Sequence, residues 1–343
     1  MAYTKRILIT GATGSIGYAT YEYLKDKGYE LIPTGRVIKP HQKFDNFIAL
    51  DLSVVTLEDL KKKVGKVDYI IHCAQLVSDN DVAEDYWLHN VFPTITLKQF
   101  AHMVRVKKFI YLSSSAIYFN GFDRYNVKEN AEIDNTKLSP YAQSKFEAEK
   151  EVLKPYKNLT QDNSSMTKNK VYENLVSIIL RPRAVFGEHD TTLLPKFLEV
   201  LNKPIVLLPK KGHVLQDFTY IGNVVYAIYC AIENTVPNNS IFNITNQEPW
   251  HIDDILKKVT NHYGIKPYVL NMPNAIYKLV SYLEKKSYER KENKKLKVTS
   301  YALNYISKDL VLDNENAIKV LKYKPLIGMR DSLEKTLSYK VKE

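Results

Sequence analysis

Cysteine is nearly absent. Cys73 and Cys230 are the only two in 343 residues, and both sit in apolar surroundings. This argues against a disulfide framework; two reduced, buried thiols in a cytoplasmic protein are the expected arrangement. Long apolar runs are missing as well. None approaches the roughly 20 residues that a membrane-crossing helix needs. The opening MAYTKRILITGATG runs directly into a strand and a glycine turn, without the apolar leader of an exported protein. Internal repeats and low-complexity tails are lacking, and no residue is assigned to a metal. Acidic residues are in deficit, 38 against 49 lysines and arginines, for a net charge of +11. The basic residues are mostly dispersed. The densest run, KKSYERKENKKLK (285–297), interleaves glutamates and carries no nucleic-acid motif. A solvated helical face or loop is its expected role, with a membrane-surface or phosphate contact as the alternative.

What the chain does have is alternation. RILIT (6–10), YELIPTGR (29–36), NFIAL (46–50), VDYIIHCA (67–74), KFIYLSS (108–114) and LVSIILRP (175–182) read as buried strands. Pro33 is awkward within the second, because it removes a ladder donor. Helical spacing occupies 15–28, 56–64, 82–105 and 140–154. Strand–helix alternation predicts an α/β doubly wound parallel sheet of Rossmann type, covered by helices on both faces. Two polar stretches, 120–136 and 155–170, read as surface loops. Further on, helices are expected at 192–203, 221–234, 251–263, 273–287 and 313–322, and strands at 204–208 and 240–245.

Immediately after the first strand comes TGATGSIG, with Gly11, Gly14 and Gly17 leading into a helix. Glycines there permit a tight turn and let a pyrophosphate approach the backbone, and the helix start offers amides and a partial positive charge. The turn residues Gly11, Thr13, Gly14, Ser15, Ile16 and Gly17 are therefore expected to bind a dinucleotide. A second constellation is SPYAQSK (139–145). On a helix, Tyr141 and Lys145 lie four apart and share a face. Hydride transfer to a carbonyl leaves an alkoxide that needs a proton. Free tyrosine titrates near pH 10, and a neighbouring ammonium favours the phenolate. The pair is read as a proton-transfer device; the plainer reading is an exposed tyrosine–lysine helix pair.

The glycine spacing, G-x-x-G-x-x-G, and the landmarks after it resemble the extended short-chain dehydrogenase/reductase superfamily. In order, these are Asp51–Leu52, IIHCAQ (70–75), Asn90 in HNVFPT, YLSSSAIY (111–118), SPYAQSK and LRPRAVFG (180–187). The resemblance spans nearly the whole chain. It implies that Asp51, Leu52, Cys73, Ala74, Gln75, Asn90 and Pro182 contact the cofactor, that Lys145 also bonds its ribose, and that a serine holds the substrate oxygen beside Tyr141. Ser113, Ser114 and Ser115 compete for that role; aligning on Tyr118 selects Ser114. NAD-specific relatives end the second strand with an acidic residue, where this chain has Gly35 followed by Arg36. That favours NADP over NAD, with Arg36 on the 2′-phosphate.

Substrate class is approached through departures from the pattern. Nucleotide-sugar members carry an asparagine where this chain has Ala184, and an arginine where it has Gln216. Arg183 and Lys210 are the cations that could stand in for that arginine. LRPRAVFGEHDTTLLPKFLEV, QDFTYIGNVVYAI and FNITNQEP resemble the 3β-hydroxysteroid dehydrogenase-like branch. The expected activity is thus NAD(P)-dependent interconversion of a ketone and a secondary alcohol on a bulky, mostly apolar substrate, with Ser114, Tyr141 and Lys145 catalytic. A nucleotide-sugar epimerase, dehydratase or reductase is the second reading, and a non-catalytic dinucleotide-binding sensor the third. The resemblance places a cofactor domain at 1–185 and 214–245 and a smaller α/β substrate domain at 186–213 and 246–343, and it implies a homodimer. In the latter domain, Ile276, Leu279, Val280 and Leu283 form a helical stripe read as core or pocket wall.

Overall fold

The apolar runs of the first half become the strands of one parallel sheet. The computed structural model describes residues 4–77, 83–155, 175–190, 193–273 and 306–339, with a few positions between 275 and 303. The elements of the first part are β1 (Arg6–Thr10), α1 (Ser15–Leu24), β2 (Glu30–Gly35), β3 (Ile48–Ala49), α2 (Leu57–Lys63), β4 (Tyr69–His72), α3 (Ala83–Tyr86), α4 (Phe92–Met103), β5 (Lys108–Leu112), β6 (Arg124–Val127), α5 (Pro140–Leu153) and β7 (Val176–Pro182). Those of the second are β8 (Val185–Phe186), α6 (Leu193–Leu201), β9 (Ile205–Leu208), β10 (Leu215–Gln216), β11 (Thr219–Tyr220), α7 (Ile221–Glu233), β12 (Ser240–Ile244), β13 (Trp250–His251), α8 (Ile252–Tyr263), β14 (Tyr268–Asn271), β15 (Leu310–Leu312), α9 (Glu315–Lys319) and α10 (Met329–Ser338).

Seven strands form the main sheet in the order β12-β7-β5-β4-β1-β2-β3, all parallel. The order reverses between β1 and β4, which makes the carboxyl ends of these two strands the switch point where such sheets hold ligands. Strand periodicity divides the core into two layers. Ile7, Ile9, Ile110, Leu112, Ile178 and Leu180 face α1 and α7. Leu8, Phe109, Tyr111 and Ile179 face α2, α4 and α5. Each such side chain contributes about 1.5–3 kcal/mol on burial, so a slip of one residue in any strand would exchange the two layers.

Pro33 does lie within β2, and the ladder explains why it is tolerated. Glu30 donates to Lys5 and Thr34 accepts from Ala12, so the even-numbered residues of β2 bond inward toward β1. The odd-numbered ones face the other side, where β3 pairs only with Thr34 and Gly35. Pro33 therefore turns its nitrogen to a rail that has no partner strand at that level.

Beyond the main sheet, β13-β10-β15-β6 form a four-stranded sheet, and β11-β8 and β14-β9 form two-stranded parallel ones. A third core, including Phe186, Leu201, Val206, Ile255, Val259, Leu333 and Leu337, fills the space around them. Here the structure departs from the sequence reading. The stretch 120–136 is not simply a surface loop: it contains β6, whose Val127 is buried and which pairs with β15. Strand β15 and helix α10 were not anticipated. The predicted helix at 273–287 lies partly outside the described residues; of its stripe, Leu279 and Leu283 are 54% and 40% exposed, so neither is core. The runs 156–170 and 285–297 also lie outside them. Among the described residues, no helix is long and apolar enough to cross a membrane.

Candidate active site

At the switch point the chain leaves β1 through Gly11, which has φ +65°, a conformation glycine adopts without strain. A Cβ on Gly11 would stand 2.6 Å from the backbone of Ala74, and one on Gly17 would stand 2.2 Å from the Gly11 carbonyl. Both glycines are therefore demanded by close backbone approach. Gly14 caps α1 with no side-chain hydrogen bond, so the first-turn amides are available to an anionic ligand. This cradle fits the pyrophosphate of a dinucleotide. Gly35, at the end of β2, is approached by a side chain instead: a Cβ there would meet Thr13 Oγ1 at 2.8 Å.

A cleft of about 650 Å³ opens over this turn. It is lined by every predicted cofactor residue except Asn90 and Lys145, and by Ser114. Toward one end are Arg36, Asp51 and Leu52. Asp51 Oδ1 accepts from the Ser53 amide and hydroxyl at 3.0 and 2.7 Å. These bonds, with help from Arg36, hold its carboxyl below the ordinary range. Lys39, Ser53 and His89 also line the cleft and were not predicted; Lys39 and Ser53 lie outside the quoted motifs, and His89 stands beside Asn90 in HNVFPT.

At the other end, α5 begins at Ser139, whose hydroxyl accepts from the Ala142 amide at 3.2 Å, with Pro140 as the first helical residue. This start fixes Tyr141 in the first turn, at the mouth of the cleft. Its hydroxyl donates to Gln75 Oε1 at 3.4 Å, and its ring meets the edge of Tyr86. Lys145, one turn on, is 1% exposed and lies beneath the cleft. Its Nζ donates to the Leu112 carbonyl at 2.5 Å and sits 4.3 Å from the centre of the Tyr111 ring. Burial brings the Lys145 ammonium down to about 7, against the opposing pull of Glu149 and Cys73.

The three serines separate clearly. Ser113 and Ser114 line the cleft, whereas Ser115 is 1% exposed and does not. Ser114 accepts from the Ala116 amide at 3.2 Å, and the Ser113 Oγ is buried without a hydrogen-bond partner.

Asn90 stands behind the cleft. It lies in a π-helical turn, Trp87–Val91, that leads into α4. Its Oδ1 accepts from the Leu76 amide at 2.6 Å, and its Nδ2 donates to Ser144 Oγ at 2.9 Å. It thus braces the loop after β4 against α5. Cys73 is half-buried and lines the cleft, and burial pushes its thiol up to about 12. His72, behind it, bonds Thr10 and Thr94 and is held neutral by burial, down to about 3.

The sequence reading missed the device that fixes α5. Arg181 on β7 bonds Glu149 of α5 through Nε and Nη2 at 2.9 and 2.6 Å, and its Nη1 bonds the Tyr118 hydroxyl at 2.6 Å. Two opposite charges 32 residues apart in sequence give no local signal. The cations proposed to replace a diphosphate arginine are engaged elsewhere. Arg183 is 1% exposed and donates to Gln216 Oε1 at 2.6 Å, while Gln216 in turn donates to the Lys308 carbonyl. Lys210 lies 3.6 Å from Asp123. None of the three lines the cleft.

A seven-stranded parallel sheet with a glycine cradle at its switch point defines a Rossmann-type dinucleotide enzyme. The pattern of the NAD dependent epimerase/dehydratase family matches residues 7–245, and the chain belongs to that family; it is an NAD-dependent extended short-chain dehydrogenase/reductase. It is 27% identical over 345 residues to the uncharacterized protein YbjS of Escherichia coli (strain K12), covering 97% of each chain. It is 29% identical over 279 residues to the decarboxylating sterol-4-alpha-carboxylate 3-dehydrogenase erg26 of Schizosaccharomyces pombe, covering 79% of this chain and 76% of that one. In fold it resembles the UDP-glucuronic acid 4-epimerase of Bacillus cereus in complex with NAD. The TM-score is 0.69 at 21% identity, over 97% of this chain and 98% of that one.

Proposed function

We propose that the protein interconverts a ketone and a secondary alcohol on a bulky, mostly apolar substrate, using NAD(P) and the set Ser114, Tyr141 and Lys145. The observation that carries the reading is a single cleft that runs over the glycine cradle, with Arg36 and Asp51 toward one end, Ser114 and Tyr141 toward the other, and Lys145 buried behind it on the carbonyl of the lining residue Leu112. A bound nicotinamide supplies or accepts the hydride. Ser114 orients the substrate oxygen, with Ser113 the neighbouring hydroxyl. Tyr141 passes a proton to that oxygen in reduction and takes it back in oxidation. Lys145 sits where its charge assists that transfer and where its ammonium can reach a cofactor ribose.

An apolar substrate is supported by Ala184, Val185, Phe186 and Ile221 on the cleft wall, and by the absence of Arg183, Gln216 and Lys210 from it. The relative named for sterol dehydrogenation agrees with this. NADP is the preferred cofactor in this reading: Gly35 leaves no acid at the end of β2, and Arg36 and Lys39 both line the adenosine end. The residues at 186–213 and 246–343 form the substrate domain, the molecule works as a homodimer, and it resides in the cytoplasm, where Cys73 and Cys230 stay as free thiols.

The nucleotide-sugar reading is favoured by one fact, the likeness in fold to a UDP-glucuronic acid epimerase. Two measurements separate the readings. A screen of NADPH and NADH oxidation over ketones, keto-esters and sterols should reveal turnover. Uridine diphosphate should leave the thermal midpoint unchanged; a clear rise, with turnover of a nucleotide sugar, would replace this reading by the second.

A further inference from the structure

Away from the cleft, the strand register assembles three metal-ligating side chains. β10 and β13 are antiparallel, with Leu215 opposite His251, and the Ile252 amide continues the ladder by donating to Val214 O at 3.0 Å. Continued by one more step each way, the register sets His213 opposite Asp253. His251 is the last residue of β13 and caps α8, Asp253 lies in the first turn of that helix, and His213 meets both from across the ladder. One nitrogen of each imidazole and one carboxylate oxygen all lie within 4.8 Å of one another.

The partners of these groups point to a ligand. His251 Nδ1 and Asp253 Oδ1 are buried and have no hydrogen-bond partner. Buried polar atoms are otherwise almost always satisfied. Lys257 approaches Asp253 through the other oxygen, Oδ2, at 3.3 Å, which leaves Oδ1 turned toward His213 Nδ1 at 3.7 Å. The two imidazole rings lie face to face, 3.9 Å between centres. His213 follows Lys210 and Lys211, both in left-handed backbone (φ 48° and 56°), and Gly212 (φ 87°). This strained turn directs the His213 ring over His251.

We propose that His213, His251 and Asp253 form a site for one divalent transition-metal ion of the zinc type. Two imidazole nitrogens and a carboxylate are the ligands such ions take, whereas calcium and magnesium take oxygen donors almost throughout. Metal–ligand bonds of about 2.0–2.2 Å require the donors to draw somewhat closer than 4.8 Å. In the stacked pose the two rings cannot both turn a nitrogen lone pair to one ion, and His213, whose side chain is 69% exposed, has the freedom to rotate out of the stack, aim a nitrogen at the ion and close that gap. Its open side leaves room for water as the fourth ligand. None of the three residues lines the cofactor cleft, so the ion would act as a cross-tie: it would fasten the turn before β10 to the start of α8.

The test uses untagged full-length protein and Zn²⁺ in competition with a chromogenic chelator, with Co²⁺ absorption as a second readout. One equivalent of Zn²⁺ should bind and raise the thermal midpoint. His213→Ala and Asp253→Asn should each weaken binding at least about tenfold, with the metal-free midpoint of the exposed His213→Ala variant unchanged. Lys257→Met, by removing a competing ammonium, should tighten binding several-fold. Absence of stoichiometric binding, undiminished binding in both ligand variants, or equal response to Mg²⁺ or Ca²⁺ would each overturn the assignment.

Discussion

Lys145 should make the protein's stability depend on pH in a direction opposite to that of a surface lysine. Its ammonium is buried, and the burial brings it from 10.5 down to about 7. Between those values the unfolded chain holds a proton on Lys145 that the folded chain has released, so stability rises with pH across the interval. Below about 7 both states are protonated and the full cost of burying the charge is felt. Above 10.5 neither is, and the cost is gone. At about 1.36 kcal/mol per pH unit the interval corresponds to roughly 5 kcal/mol; relaxation of the surroundings and entry of water reduce this to about 3 kcal/mol as a working figure. Lys145→Met removes the titration while keeping most of the volume. It also strands the Leu112 carbonyl, a constant cost of about 1–3 kcal/mol at every pH. The informative quantity is therefore the difference between wild type and variant in urea melts at pH 6, 8 and 10. Wild type should gain on Lys145→Met by at least about 2 kcal/mol from pH 6 to pH 10, all other groups cancelling. A difference that stays flat, or that moves the other way, would refute the argument that Lys145 is desolvated.

Three further outcomes are expected. Tyr141→Phe should keep fold and cofactor affinity but lose at least about 100-fold in turnover, since general acid–base catalysis contributes about 100- to 10,000-fold; turnover like that of wild type would sink the proton-transfer role. Gly17→Ala forces a Cβ to within 2.2 Å of the Gly11 carbonyl, so cofactor binding measured by fluorescence should be lost before the far-ultraviolet spectrum changes. Arg36→Ala should weaken NADPH binding by about 10- to 150-fold, the equivalent of one charged hydrogen bond, with little effect on NADH. Tighter binding of NADH by the unaltered protein would make the assignment wrong.

The main sheet was legible because its strands are continuous apolar runs and its first turn is constrained by glycine geometry. The residues named for the cleft are adjacent to those strand ends, so a correct sheet brings most of them together without further information. The smaller sheets were not legible. β10, β13 and β15 are two or three residues long, too short for any period to show, and β6 gains its place only by pairing with Leu310–Leu312 far along the chain. Helix α10 is different: Met329, Leu333 and Leu337 recur at four-residue spacing after Gly328, and that signal was overlooked. Asn90 could be matched to a motif but its task could not, because a brace between Leu76 and Ser144 exists only after folding. The ion pair of Arg181 with Glu149 and the capture of Arg183 by Gln216 are likewise invisible to spacing.

Pro33 has a consequence beyond its own strand. β3 is only two residues long, so most of β2 has no neighbouring strand on its outer side, yet Leu31, Ile32, Pro33 and Thr34 are all buried beneath other parts of the chain. Continued pairing there would need a donor from position 33, and a proline nitrogen has none. The interruption sits on the outward rail and costs the inward ladder nothing. The same residue that looked out of place in an apolar run thus bars the outer ladder of β2 from extending below Thr34 and Gly35.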